Sequence, residues 1–437
     1  MEYKGVKKKF SSMDFYNIDF SIENFKKIFN EKLSDKKDVA VILASISNLK
    51  HYNYVLGYEY GDYILENVFD KINNFIKKKG IICRFGGDTL LILLYEKSRK
   101  NIIDLLKGII NDFNDPIEIG NERIRILFNM GIVQYPRDSK SLDDIFKYAE
   151  IALDYSQKDG QDIYRFFTSD MYENNNRRWE LENDVLNAIS NEEFILYYQP
   201  QVDISKNKVC GAEVLLRWNH PKYGVLTPIN FIDSVEENGT IREIGKFIFS
   251  EVCNEINKYK SLVYDDLKMS INISEKQLSD DSFLDSIKNI LKESKINGKF
   301  INIEMTERLL VSPTDKTLHI LKELRNMGIG ILIDDFGTKY SSLNYLCNLP
   351  ITGIKIDKSF IDKISNFDKE FIVIKHIINL AHELGIEVIA EGVEYKEQLD
   401  CLININCNKI QGFIFGKPMP LQDFIKLVTS TFYLKLK

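Results

Sequence analysis

Eight short apolar runs alternate with amphipathic stretches between residues 194 and 415, and this alternation limits the fold more than any other feature of the chain. The runs are FILYYQPQV (194–202), VCGAEVLLRW (209–218), LKMSINIS (267–274), FINIEMT (300–306), IGILIDD (329–335), ITGIKID (351–357), IEVIAEG (386–392) and NKIQGFIF (408–415). They are short and rich in β-branched and aromatic residues, as buried strands are. Stretches between them, such as SFLDSIKNILKES, DKTLHILKELRNM and FIVIKHIINLAHELG, carry apolar residues at helical spacing. Eight strands with intervening helices in about 260 residues predict a (β/α)8 barrel.

The first part of the chain mixes its elements differently. VAVILASIS (39–47) reads as a buried strand, and GDYILENVFDKINNFIKK (61–78) has a helical apolar face from Ile64 to Ile76. IICRF and TLLILLY flank a Gly-Gly-Asp turn as a hairpin. RIRILFNMGIVQY (123–135) is a strand pair or one long strand, and DDIFKYAEIALDYSQ (143–157) is an amphipathic helix. Strand and helix do not alternate strictly here, which predicts an α+β layered domain. The polar, Asn-rich TSDMYENNNRRWE fits a connector, so the chain divides near 170–176. A helix over about 177–191 follows, with Trp179, Leu181, Val185, Leu186 and Ile189 at helical spacing. It is either a rigid coupler or the first packed helix of the second domain. The expected divisions are a polar leader over 1–25, a first domain over 26–168, a connector over 169–190 and the barrel over 191–437.

Composition removes several function classes. Lys and Arg number 58 against 64 Asp and Glu, a formal net charge of −6, so the surface does not favour a nucleic-acid polymer. No apolar run follows the charged N-terminus as in a secretory signal, and none approaches the roughly 18 residues of a spanning helix. The six cysteines show no C-x-x-C spacing and are expected buried and reduced, in a cytoplasmic protein without a membrane partner. The five histidines are scattered, so a Cys/His zinc site is not favoured.

Polar residues collect at one end of the predicted strands. Glu213 lies in the second strand, Asn272 ends the third, and Glu304 ends the fourth with Glu307 just beyond. Asp334 and Asp335 end the fifth, Lys355 and Asp357 the sixth, Glu391 the seventh, and Gln411 lies on the eighth. Strand ends in such a barrel share one face, where catalysis sits. Two carboxylates about 4 Å apart repel by roughly 4 kcal/mol at an effective dielectric of 20. A cluster therefore needs raised pKa values or bound divalent cations. Carboxylates plus an Asn amide are hard oxygen donors, suited to Mg²⁺ or Mn²⁺. Adjacent aspartates suit a bridged ion pair, the arrangement that activates water and stabilises an in-line phosphoryl displacement. Lys355 adds a cation suited to steering the water or the phosphate.

With these residues in view, the second half, about 177–437, resembles the EAL-domain phosphodiesterases of cyclic di-GMP. The matching motifs are YYQPQVD, GAEVLLRWNHPKYGVLTPINFI, INIS, IEMTE, DDFGTKYSSL, IKIDKSFI, AEGVE and QGFIFGKP. The eponymous triplet reads Glu-Val-Leu from Glu213 to Leu215. The resemblance implies hydrolysis of cyclic di-GMP to linear pGpG with two Mg²⁺ or Mn²⁺ ions. Glu213, Asn272, Glu304 and Asp334 would hold one metal. Asp334 would bridge to a second, shared with Asp335 and Glu391. Lys355 would contact the water or the phosphate, and Gln411 would complete the metal and water shell. Gln199 and Arg217 would bind substrate, Glu307 would brace the loop after the fifth strand, and Asp357 would orient Lys355. The catalytic set is then Glu213, Asp335, Lys355 and Glu391, and the resemblance further implies a homodimer through this domain. In the loop, Lys339 stands where the family has a second glycine. If that position has positive φ, lysine costs around 1 kcal/mol or more there.

The first half is similar to a GGDEF domain, the fold of diguanylate cyclases, in degenerate form. Gly86 to Leu90 reads GGDTL, keeping Asp88 but placing Thr89 where an acid belongs, and Ser45 stands where the family has a metal-binding aspartate. The family's phosphate-binding cations align with Gln157 and Gln161, and the inhibitory RxxD site falls on Lys77 to Gly80 and is absent. Asn53 and Asp62 match the family's guanine-recognising pair; they are either a loop residue and a helix N-terminal acid, or a weak nucleotide site through which GTP regulates the second half. These departures imply a catalytically inactive domain in a regulatory or structural role. The rival expectation for the whole chain is a non-catalytic cyclic di-GMP receptor.

Overall fold

A computed structural model describes residues 38–119, 122–237, 239–259, 267–307, 313–337, 346, 348–364 and 369–430. The leader expected over 1–25, Cys347 and Lys339 lie outside them. The chain divides into two compact units, Met1–Trp179 and Glu180–Lys437.

The first unit is built on β1 (Val39–Ile46), which pairs antiparallel with both β3 (Thr89–Leu94) and β6 (Phe128–Tyr135). β2 (Gly80–Gly86) and β7 (Ile163–Phe166) complete the order β2-β3-β1-β6-β7, with β6 and β7 parallel. Alternate residues of β1 enter two separate cores. Ala40, Ile42 and Ala44 pack with α2 (Tyr58–Ile76), which follows α1 (Leu49–Leu56), and with α3 (Arg99–Asp112). Val39, Val41 and Leu43 pack with Ile145, Phe146 and Ala149 of α4 (Leu142–Asp159). A strand covered on both faces reads as a continuous apolar run, which is why VAVILAS shows no alternation. The stretch read as one strand or two is two: β5 (Glu122–Ile124) pairs with β4 (Ile117–Ile119) in a separate ribbon, and β6 joins the main sheet.

The polar stretch expected as a connector is helical. α5 runs Ser169–Ala188 and contains the unit division. Nothing in SDMYENNNRRWE breaks a helix, and a solvated helix needs no apolar stripe. Of the residues placed on its face, Leu181 and Val185 are buried, whereas Trp179 and Leu186 are 66% and 58% exposed.

The second unit is a closed barrel. β8 (Phe194–Asp203) and β9 (Lys208–His220) pair with each other and close a ring with β11 (Lys268–Asn272), β12 (Ile301–Thr306), β13 (Gly330–Phe336), β14 (Gly353–Ile356), β15 (Glu387–Ala390) and β16 (Lys409–Gln411). Neighbours from β9 through β16 are parallel. β8 departs from the regular barrel: it runs antiparallel to both β9 and β16. Only residues 204–207 link β8 to β9, enough for a hairpin and far too few for a parallel crossover. β10 (Gly224–Leu226) and β17 (Met419–Pro420) extend the edges. α6 (Ile232–Glu237), α7 (Ile241–Tyr259), α8 (Glu275–Leu278), α9 (Phe283–Ser294), α10 (Asp315–Asn326), α11 (Lys358–Ile361), α12 (Lys369–Glu383), α13 (Lys396–Asn404) and α14 (Leu421–Thr429) follow in chain order. Among the described residues no helix is long and apolar enough to cross a membrane. None of the five described cysteines is in a disulfide; Cys253, Cys401 and Cys407 are buried, Cys83 and Cys210 half-buried.

Outside the barrel wall, Tyr198 of β8 is fully buried, stacks on Phe424 of α14, and donates its hydroxyl to Glu255 of α7. Burial, with help from Glu251, pushes the Glu255 carboxyl up to about 7, against the opposing Tyr198 bond and the Lys258 charge. A raised folded pKa means a contribution present in full below the ordinary carboxylate pKa and lost as pH rises through about 7. The wild type is therefore expected to lose on the order of 3 kcal/mol of stability between pH 4.5 and 8 relative to Glu255→Gln. Thermal unfolding of both proteins across that range measures it. Parallel profiles would contradict the assignment.

Candidate active site

Seven of the polar residues expected at the strand ends form one bonded cluster. Lys355 of β14 is its centre and is fully buried. Its Nζ lies 2.6 Å from Glu304 and from Glu391, 3.1 Å from Asp334 and 3.4 Å from Glu213. Glu213 binds sideways as well. Its Oε1 accepts from Asn272 Nδ2 at 2.8 Å, and its Oε2 accepts from Gln411 Nε2 at 2.5 Å. Gln411 Nε2 also donates to Gln199 Oε1 at 3.2 Å. β8, β9, β11, β12, β13, β14 and β16, together with the residue after β15, thus meet at one point although they span more than 200 positions in sequence.

The adjacent aspartates have a backbone explanation. Successive side chains on a regular strand point to opposite faces, so Asp334 and Asp335 should diverge. Instead, the β13–β14 register shifts between Ile333 and Phe336, and Asp335 takes a left-handed φ of 53°. A bulge with one left-handed residue re-aims a side chain, and aspartate tolerates that conformation better than most residues. Asp334, Asp335 and Glu391 then each offer an oxygen within 4.8 Å of the others, a set able to hold a metal ion. Asp334 Oδ1 also accepts from the Asp335 backbone N–H at 3.0 Å.

The electrostatics follow from burial and crowding. Burial raises the Glu304 pKa well above the usual carboxylate range, and Glu213, Asp334 and Glu391 add to this against Lys355. Burial likewise lifts Glu391 to about 8, with Lys355 opposing and Asp334 and Glu213 reinforcing. Burial and then the Asp334 and Asp357 charges raise Asp335. Burial would also raise Glu213, but Lys355 and the amides of Gln411 and Asn272 outweigh it and hold its pKa down. Burial would lower Lys355, yet four carboxylates drive it well above the ordinary lysine value. One buried oxygen, Glu304 Oε1, has no hydrogen-bond partner among the described residues. A buried acceptor left unpaired costs about 1–3 kcal/mol. A hard cation in the bowl would satisfy it, so the oxygen-only donor set fits a divalent metal.

Three other expected positions fall at different distances from this point. Glu307, nearly fully buried, accepts from the Gly337 backbone N–H at 3.2 Å and so ties the end of β12 to the turn after β13. Arg217 lies four residues beyond Glu213 on β9, its Nη1 donating to the Leu216 carbonyl at 2.7 Å. Asp357 does not reach Lys355 as expected. Its carboxylate accepts from Ser359 N–H at 2.9 Å as the cap of α11, because it follows the strand rather than ending it. Gln201 is a site residue that sequence reasoning missed. It is buried, and its Nε2 donates to Gln411 Oε1 at 2.9 Å, which orients the Gln411 amide nitrogen toward Glu213. The signal was present: Gln199 and Gln201 are two apart on one strand and share a face.

In the first unit, Ser45 is buried between Thr89 and Asn129 on the neighbouring strands. Thr89 Oγ1 donates to Asp88 Oδ1 at 3.2 Å, and Gln157 and Gln161 are exposed. The Asn53 side chain of α1 lies against Gly61 of α2, the residue before Asp62, where an added Cβ would lie 1.6 Å from Asn53 Oδ1. That oxygen is buried without a partner among the described residues, while Asp62 lies 3.8 Å from Arg84.

Comparison with known proteins agrees with this layout. Residues 182–418 match the EAL domain model, and residues 14–162 match the model described as diguanylate cyclase, GGDEF domain. A Pseudomonas aeruginosa protein named bifunctional diguanylate cyclase/cyclic di-GMP phosphodiesterase MucR is 30% identical over 93% of this chain and 59% of its own length. The Bacillus subtilis signaling protein YkoW is 32% identical over 96% of this chain and 52% of its own length. The chain therefore spans between half and three-fifths of these relatives. Among solved structures, the PaMucR phosphodiesterase in complex with c-di-GMP matches at 35% identity and a TM-score of 0.54, covering 56% of this chain and 99% of that one. The EAL enzyme Bd1971, bound to cAMP and cyclic di-GMP, matches at 36% identity and a TM-score of 0.55, covering 57% and 69%.

Proposed function

Because the chain belongs to the EAL-domain family, we propose that its barrel hydrolyses cyclic di-GMP to linear pGpG in a divalent-metal-dependent reaction. The observation that carries this reading is the convergence of Glu213, Glu304, Asp334 and Glu391 on one point, with Asp335 beside Asp334. These five carboxylates and one ammonium leave a formal charge of −4, the complement of two divalent cations. Two Mg²⁺ or Mn²⁺ ions, held by Glu213, Asn272, Glu304, Asp334, Asp335 and Glu391, would supply an activated water and neutralise charge on the phosphodiester. Lys355 holds the carboxylates together and presents a proton-bearing cation to the phosphate. Gln411, fixed by Gln201 and Gln199, orders the Glu213 carboxylate. Arg217 offers a guanidinium to a phosphate oxygen, and Glu307 holds the turn after β13. Cyclic di-GMP bound to the PaMucR and Bd1971 structures supports the substrate class.

The first unit is read as catalytically inactive, on Ser45 and Thr89, and as a regulatory or structural partner that takes GTP through Asn53 and Asp62. A homodimer through the barrel and a cytoplasmic location complete the proposal. The test is incubation of purified protein with cyclic di-GMP in Mg²⁺, in Mn²⁺ and in EDTA, with and without GTP, with products followed by chromatography. Metal-dependent pGpG is expected. Tight binding without product under every metal condition would move the chain to the receptor class.

A further inference from the structure

The inner face of β8 continues past the two glutamines toward its N-terminal end. Gln199 and Gln201 both reach Gln411, so the residues in phase with them line the same face, and Tyr197 is the next in that series. Because β8 runs antiparallel to β9, moving from Gln199 to Tyr197 on one strand corresponds to moving from Glu213 to Leu215 on the other. Arg217 is two residues further and shares the face of Glu213. The Arg217 guanidinium carbon lies 5.4 Å from the centroid of the Tyr197 ring, within cation–π range. Nη1 is tied to the Leu216 carbonyl. Among the described residues no carboxylate lies within ion-pair distance of Arg217, and Tyr197 has no hydrogen-bonded partner for its hydroxyl. A half-buried arginine held by a ring face and one carbonyl has its plane fixed, with N–H groups left for an incoming anion. The barrel end where it stands is the end that holds the acid cluster.

We propose that Tyr197 is a positioning residue for substrate: its ring face holds the Arg217 guanidinium flat, so that the donors not used by Leu216 meet a phosphate of the cyclic dinucleotide. The role needs an aromatic face and does not need the phenol oxygen. It deepens the phosphodiesterase reading and rests on it. Tyr197 acts through Arg217 alone, which separates it from a residue that stacks on a base directly.

The test is a double-mutant cycle on the full chain, read as KM and kcat with Mn²⁺ and as the Kd for cyclic di-GMP by calorimetry in EDTA. Tyr197→Phe is expected to keep KM and Kd within about twofold. Tyr197→Leu is expected to raise both about five- to thirtyfold, the range of a partly desolvated cation–π contact, with kcat within about twofold. In an Arg217→Met background, Tyr197→Leu is expected to add nothing further. Tyr197→Gln is read in the same way should the leucine variant misfold. Equal penalties for Tyr197→Leu with and without Arg217 would overturn the proposal, as would a loss confined to kcat. Should the wild type bind cyclic di-GMP without cleaving it, the Kd cycle still decides the role of Tyr197, and only the catalytic reading fails.

Discussion

Glu213→Ala is expected to reduce cyclic di-GMP turnover on the order of 10³-fold or more. The side chain makes three contacts that no neighbour can replace: Asn272, Gln411 and Lys355 all bond to its carboxylate. Its loss removes a hard oxygen donor and also frees the Gln411 amide that it anchors. A 10³-fold loss corresponds to about 4 kcal/mol of transition-state stabilisation, a reasonable share for one ligand of an activating metal. Asp335→Ala is expected to match it. Asp335→Asn separates the two things Asp335 does, because asparagine tolerates the φ of 53° but lacks the charge. The asparagine variant should keep the thermal stability of the wild type and still lose turnover. Steady-state rates with Mn²⁺, beside unfolding curves in EDTA, check both. Retained turnover in Glu213→Ala and in Asp335→Ala would remove the metal assignment.

The second large effect is on stability. Lys355→Met leaves four carboxylates around a site that has lost the one ammonium paired with them among the described residues. Removing one partner from a buried ion pair costs about 3–5 kcal/mol, because the remaining charge is uncompensated. The carboxylates can escape by taking up protons, and Glu391 and Glu304 are already pushed up by burial. The loss should therefore be larger at pH 8 than at pH 6, and Mn²⁺ should recover part of it. Urea unfolding in EDTA at both pH values, repeated with Mn²⁺, measures each arm. Equal stability of Lys355→Met and wild type at pH 8 in EDTA would contradict the buried network.

The parts of this site that were legible in the sequence are those that depend on strand position. Apolar runs such as GILIDD announce a buried strand, and the polar residue that follows marks its end, so strand position alone puts Asn272, Glu304, Asp334 and Glu391 on one face. Direction was not legible from periodicity, which is the same read forward or backward. The antiparallel β8 was coded only by the four residues that link it to β9. Backbone hand was hidden too: nothing in DDFG states that Asp335 turns left-handed so that two neighbouring carboxylates approach one another and Glu391. Lys355 read as a substrate-steering cation, and its fourfold pairing emerges only when β9, β12, β13 and the end of β15 close around it. Asp357 misled because one residue separates a strand end from a helix cap, and the two place a carboxylate differently. The polar first turns of α5 looked like a loop because solvated helices carry no apolar stripe.

The central claim is that one water adds to one phosphodiester in the bowl around Lys355. Turnover of cyclic di-GMP in ¹⁸O-labelled water with Mn²⁺, with products read by mass spectrometry, tests it most directly. The expected product is pGpG with a single ¹⁸O in its terminal phosphate, absent in EDTA. Intact cyclic di-GMP, or a linear product without label, would contradict it.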